Sequence, residues 1–225
     1  MSVNCHEGIF EFMKFGFEKQ IETVYGSTFR LKYGPVEKVV SRYLSALVNK
    51  RNYIPYIFIS SVVRDSIWSW RRRHLMVLDC DSFADMAAAC NWLKTEEHSV
   101  EYEVIESTPG RFWVVTDFVG TWKQIWGVFN HIPGVCTAFR DNYARKYKRL
   151  CIRAFPKLVG GKPHTPVFPD EIGFPPNSAA RTWMIAAKRY FESRHFNKIC
   201  KALLFMDRLS NNQMEQLMAD PDFKV

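Results

Sequence analysis

A chain of 225 residues has room for one large domain or two small ones, and 47% hydrophobic against 24% charged residues exclude a disordered chain. The 31 Lys and Arg against 23 Asp and Glu leave a net charge of +8, which favours polyanionic partners through counterion release and steering. The cations cluster at 71–73 and again from Arg145 to Lys157, while aromatics reach 15%, more than one core of this size needs. Six cysteines, at 5, 80, 90, 136, 151 and 200, form no Cys-x-x-Cys pair, so no zinc site is expected and the thiols read as reduced. Glu7, Glu11, Lys14 and Glu18 interrupt the apolar start, and no stretch approaches the ~18 apolar residues of a spanning helix. The expectation is a soluble, cytoplasmic (intracellular) protein with no membrane partner.

From the first residues onward, Ile9, Phe10, Met13, Phe17, Ile21 and Val24 recur at helical spacing and predict an amphipathic helix over 5–25, with a break near Gly16. Residues 28–33 alternate like a short strand, and Pro35 suits the first turn of a helix running to about 49. A strand is expected over 55–60, followed by an ambiguous run over 62–70.

The clearest segment is 75–157. Residues 75–81 are an apolar run ending in Asp79-Cys80-Asp81, a buried strand with a charged carboxyl end. Ser82 can cap a helix over 83–94 whose apolar side is Phe83, Met86, Ala87, Cys90 and Leu93. Strands over 100–106 and 111–117 flank the turn Ser107-Thr108-Pro109-Gly110 and predict a hairpin. A second helix carries Trp122, Ile125, Trp126 and Phe129 and ends before Pro133-Gly134; a last strand spans 150–156. Strand, helix, strand, strand, helix, strand is the split βαβ, ferredoxin-like order. The first and third strands should therefore lie side by side, with helices on one sheet face and the other face open.

Two-residue periodicity places Asp79, Asp81, Arg111, Trp113 and Asp117 on that open face, with Arg153, Phe155 and Lys157 from the last strand. Beyond Lys157, glycines 160 and 161 and five prolines predict a long irregular connection. Residues 179–209 then read as one amphipathic helix and 212–225 as a short helix with a frayed tail.

Asp-x-Asp on a strand aims both carboxylates to one side, where they can share Mg2+ or Mn2+ with triphosphate oxygens. Asp141, within Phe139-Arg140-Asp141, is the candidate third carboxylate and Asp117 the reserve. Arg145, Arg149, Arg153 and Lys157 recur about every four residues and suit phosphate contacts, arginine bidentately. Trp113 on an open face could stack on a base, or else pack beneath the N-terminal segment. For each of these groups the plain structural reading stands beside the functional one: strand-end aspartates, a helix cap at Asp141 and a solvated basic face.

With these motifs in hand, the chain resembles the archaeo-eukaryotic primase superfamily over about residues 25–160. Leu75-Met76-Val77-Leu78-Asp79-Cys80-Asp81 resembles its first motif, Ser107-Thr108-Pro109-Gly110-Arg111-Phe112-Trp113 its second, and Phe139-Arg140-Asp141 its third. The resemblance implies an α+β fold with an RRM/ferredoxin-like βαββαβ core, an N-terminal αβ unit and a C-terminal helical extension. The implied division is a primase-polymerase-like domain over 1–160 (unit 1–70, core 71–160) and an extension over 161–225. Asp79, Asp81 and Asp141 would be the catalytic and metal-binding carboxylates. Ser107, Arg111, Trp113, Arg145, Arg149, Arg153 and Lys157 would be the nucleotide-binding residues. Implied partners are single-stranded DNA template and nucleoside triphosphates, with a replicative helicase as a further candidate. This sequence departs from the family at Trp113, where a histidine usually contacts phosphate; an indole offers only an N–H donor.

The leading expectation is thus a primase- or polymerase-like nucleotidyltransferase of a phage, plasmid or related mobile element. The alternative is a non-catalytic single-stranded nucleic-acid-binding protein with a degenerate primase or RRM-like fold, stacking bases on Trp113 and Phe155. A rolling-circle endonuclease would need paired histidines, whereas His74, His98 and His131 are isolated. A protein-interaction domain remains a fourth class.

Overall fold

A computed structural model of the chain describes residues 9–14, 17–20, 56–63, 73–95 and 99–205. In chain order the strands and helices are β1 (Ile9–Lys14), β2 (Phe17–Gln20), β3 (Tyr56–Ser60), β4 (Val62–Val63), β5 (Arg73–Cys80) and α1 (Phe83–Leu93). The hairpin β6 (Tyr102–Thr108) and β7 (Arg111–Gly120) leads to α2 (Trp122–Phe129), then a π-helical segment (Ala138–Ala144) and α3 (Arg145–Tyr147). β8 (Cys151–Arg153), β9 (Lys157–Val159), β10 (Lys162–His164), α4 (Ala179–Phe191) and α5 (Arg194–Phe205) complete the described chain. The fold is α+β with antiparallel sheets, and no described helix is long and apolar enough to cross a membrane.

The central sheet has the order β4-β5-β7-β6. Its middle pair is the expected first and third strands, antiparallel, with Leu78 opposite Val114 and Asp79 opposite Trp113. Leu75, Met76, Leu78, Val114 and Val115 are fully buried, as a near-continuous apolar run in a covered strand requires. The hairpin forms as expected because Gly110 supplies the positive φ of its turn (+75°), and the Glu106 carboxylate accepts the Gly110 N–H at 3.0 Å. Helix α1 starts where Ser82 predicts: the serine hydroxyl accepts the Asp85 N–H at 3.1 Å. Thr121 and Gln124 close a capping box on α2.

Five expectations need correction. Within the expected 5–25 helix, the described residues 9–14 and 17–20 are instead the antiparallel strands β1 and β2, with Lys14 opposite Phe17. Ile9, Phe10, Phe12 and Met13 satisfy a strand as well as a helix, and pairing of β1 with β3 decides between them. The last strand does not join the central sheet. β8 pairs with β3 in a second sheet ordered β2-β1-β3-β8, and β4 takes the place beside β5. Ser61 makes this crossover: its N–H donates to Leu150 at 2.9 Å, and its carbonyl accepts the Leu75 N–H at 2.8 Å.

The third correction concerns the sheet face that the sequence left open. Helix α4 covers part of it, with Phe191 at 6.3 Å from the Trp113 ring. Trp183 on the same helix is fully buried and donates its indole N–H to the Ser60 carbonyl at 2.8 Å, and the Tyr190 hydroxyl donates to Ala154 at 2.7 Å. An aromatic ring buried with its polar tip satisfied stabilises by about 3 kcal/mol, so α4 is part of the core rather than an appendage. The predicted single helix over 179–209 breaks between α4 and α5, where the Ser193 hydroxyl accepts the Phe196 N–H at 3.3 Å.

Last, the connection after Lys157 is not wholly irregular. β9 and β10 pair across Gly160 and Gly161, both at positive φ, the two-glycine signature of a tight hairpin. Expectations for 28–33, 35–49, 64–70 and 212–225 fall outside the described residues.

Candidate functional site

Strand alternation delivers the site. At the carboxyl end of β5, Asp79 sits on the same face as Trp113, directly across from it, and largely buried. Burial, then the neighbouring Asp81, push its carboxyl up to about 6; Arg153, the Trp113 indole N–H and Arg111 act the other way. Asp81, just beyond the strand, is exposed and accepts a hydrogen bond from Arg111 Nη1 at 3.0 Å.

The third member is Cys136. Its N–H donates to the Asp79 carbonyl at 2.7 Å, and its thiol hydrogen-bonds to the Asp81 carboxylate. Burial and that bond both push the thiol above its ordinary range. Possible ligand atoms of Asp79, Asp81 and Cys136 all lie within 4.8 Å of one another. Gly134 makes this approach possible. It has φ +73°, and a Cβ there would run into the Asp85 carbonyl of α1, so only glycine lets the turn close against that helix.

Three cations complete the arrangement. Arg153 Nη2 donates to the Ser107 carbonyl at 3.3 Å, and its guanidinium lies 5.5 Å from the Trp113 ring centroid. Burial pulls its pKa down while Asp79 holds it up. Lys157 is lowered by burial and by the Arg111 and Arg153 charges, with Asp81 and Asp79 opposing. On the β9–β10 hairpin, His164 stands opposite Lys157, and its buried Nε2 has no hydrogen-bond partner among the described residues.

Of the sequence candidates, Asp79, Asp81, Arg111, Arg153 and Lys157 come together. Ser107 is buried and supports them: its carbonyl holds Arg153, and its hydroxyl donates to the Arg111 carbonyl at 3.2 Å. Trp113 is 3% exposed, so it is a floor under Asp79 and not a platform for a base. Asp141 is exposed, paired with Arg140 Nε at 3.3 Å, and stands outside the three-residue group. Arg153, Arg111 and Lys157 interact with Asp79, whereas Arg145 is exposed on α3 and Arg149 is half-buried beside Cys151. Asp117 lies at the far end of β7, raised by burial and by Glu101.

Sequence reasoning missed Cys136, whose only signal was Pro133-Gly134 just before it. It also placed Phe83 on the core side of its helix, whereas the ring is 68% exposed.

Chemically, two carboxylates and a thiol can hold a divalent cation, oxygen donors suiting Mg2+ or Mn2+ and sulfur favouring the softer ion. The donor set fits such an ion on its own terms, because Asp79 stays raised by burial and by Asp81 despite the arginines nearby, and a cation held between the two carboxylates would relieve both. Arg111, Arg153 and Lys157 would then face an anion beside it. Comparison with protein-family models, with curated proteins and with solved structures gives no match for this chain.

Proposed function

We propose that the protein is a metal-dependent nucleotidyltransferase of primase or polymerase type, starting or extending strands on a single-stranded DNA template. One observation carries this reading: Asp79, Asp81 and Cys136 converge within 4.8 Å beside Arg111, Arg153 and Lys157. Triphosphate chemistry calls for this pairing of anionic metal ligands with cations for phosphate. In support of an RRM-like variant, β5, β7 and β6 keep the expected neighbours, with β4 in the fourth place.

In this reading Asp79 and Asp81 hold Mg2+ or Mn2+, and Cys136 adds a softer donor on the same side. An ion held there would supply charge neutralisation at the phosphates as a 3′-hydroxyl, losing its proton to solvent, attacks the α-phosphate in line and the α–β bond breaks to release pyrophosphate. Arg111 reaches solvent and leaves Asp81 for an incoming phosphate. Arg153, fixed by Ser107 and the Trp113 ring, keeps positive charge beside the buried carboxylate. Lys157 extends the cationic strip onto the β9–β10 hairpin, next to His164. A non-catalytic binder stacking bases on Trp113 has less support, because that ring is buried.

The test is primer synthesis and extension with Mg2+ or Mn2+, comparing the intact protein with Asp79→Ala/Asp81→Ala. Synthesis by the first and none by the second is expected. Equal signal from both, or none from the intact protein with either ion, removes the enzymatic reading.

A further inference from the structure

Phe83 is the most exposed large hydrophobic side chain found among the described residues, at 68%. It opens α1, while the apolar positions further along that helix, Ala89, Cys90 and Leu93, are buried. The ring is not on a frayed end. The Ser82 hydroxyl accepts the Asp85 N–H at 3.1 Å and donates to its carboxylate at 2.7 Å, fixing the first turn. Phe112 stands edge-on to it, ring centroids 6.2 Å apart and planes at 73°. The ring is therefore held in place and still open to solvent.

Its position gives it meaning. Two residues before it stands Asp81, whose carboxylate is bonded to Arg111, the residue just before Phe112. Phe112 pairs with Cys80 and so belongs to the helix side of the sheet, whereas Asp79 and Trp113 share the other side. Phe83 and the charged cluster thus flank one strand end from opposite sides. A ligand reaching both must present a flat apolar face to the ring and negative charge to Arg111, Arg153 and Lys157. A protein partner could cover the ring but has no general need of the cations. A single nucleic-acid strand carries both groups at every step.

We infer that Phe83, supported by Phe112, is a stacking surface for a base of single-stranded DNA passing the carboxyl end of β5. This deepens the proposed function and takes from it only the nucleic-acid partner. The ring performs the role that Trp113, buried beneath α4, is not placed to perform.

The test measures anisotropy of a labelled thymidine oligonucleotide and of an abasic oligonucleotide of equal length, both in EDTA. The abasic strand keeps the phosphates and lacks the faces that stack. Phe83→Ala should weaken the thymidine strand at least about fivefold and leave the abasic strand unchanged, the size expected for one lost base–aromatic contact. Phe83→Leu should behave as alanine does and Phe83→Trp as the parent. Equal affinities of parent and Phe83→Ala for the thymidine strand overturn the inference, as does an equal loss on both strands. Because no metal is present, Phe83-dependent binding without primer synthesis would remove the enzymatic reading alone.

Discussion

The two ends of the central sheet each hold a pair of acidic residues, and only one pair has the surroundings of a site. At one end of β7, Asp79 and Asp81 repel each other; at the other, Asp117 and Glu101 do the same, with the Asp117 N–H donating to the Glu101 carbonyl at 3.0 Å. Burial and the neighbouring carboxylate raise both Asp79 and Asp117. The difference lies in what opposes the shift. Around Asp79 it is Arg153, the Trp113 N–H and Arg111; around Asp117 it is backbone hydrogen bonds alone. An open cleft lined by Lys94, Glu101, Tyr102, Glu103 and Phe174 lies beside the second pair, yet Lys94 there sits over the Tyr102 ring at 5.4 Å. Carboxylate repulsion is therefore common currency in this sheet. What sets the Asp79 end apart is that two arginines act directly on its carboxylates and the buried Trp113 ring donates to one of them.

The most damaging way to break the comparison is to remove that floor. Trp113→Ala deletes the ring between Phe191 and Arg153, and should destabilise the protein by about 3–5 kcal/mol in urea unfolding. Asp117→Ala, at the exposed end, should stay within about 0.5 kcal/mol. Similar losses from both would mean that the Asp79 end is no better packed than its counterpart.

Next comes the pH dependence of the metal-free protein. The Asp79 carboxyl at about 6 lies above its ordinary 3.8, so the native state keeps a proton that the unfolded chain has released. Stability contributed by this group is complete below about pH 4 and declines as pH rises through 6, by roughly 3 kcal/mol in all. Asp79→Asn should remove that decline and raise the unfolding midpoint at neutral pH, while leaving it little changed at pH 4. Asp117→Asn should act in the same direction and less strongly. A parent protein whose midpoint does not fall between pH 4 and 7 would contradict the burial assigned to Asp79. Divalent cation binding should weaken below pH 6 for the same reason, since the ion and the proton compete.

Much of this end was legible in the chain because local rules agreed there. An apolar run ending in Asp79-Cys80-Asp81, a Ser82 cap and a Pro109-Gly110 turn each specify their neighbours within a few residues. Strand alternation then aligned Asp79 with Trp113. What was not legible depended on distant contacts. Nothing near Trp113 announces that α4 will cover it, and nothing near Cys151 announces that β3 will outbid β5 as its partner. Gly160-Gly161 carried a hairpin signal that five nearby prolines obscured. Phe83 misled for a related reason: helical periodicity puts it on the apolar side, but its ring meets Phe112 edge-on and stays 68% exposed.

Cys136 sharpens the comparison by the smallest expected effect, because it is the one donor at this end that carboxylates elsewhere cannot imitate. Sulfur ligands favour softer ions, so Cys136→Ser should weaken Cd2+ binding about tenfold in calorimetry and leave Mg2+ affinity nearly unchanged. Serine keeps the size and a donor for the Asp81 carboxylate, so the 133–136 turn and its bond to the Asp79 carbonyl should survive. Gly134→Ala offers a complementary handle. It disturbs the turn against Asp85 and should weaken both ions together, since it displaces the ligand rather than changing its chemistry. Unchanged Cd2+ affinity in Cys136→Ser would take the thiol out of the site and leave Asp79 and Asp81 as its only donors. Equal losses for Cd2+ and Mg2+ would instead show that residue 136 shapes the site without touching the ion.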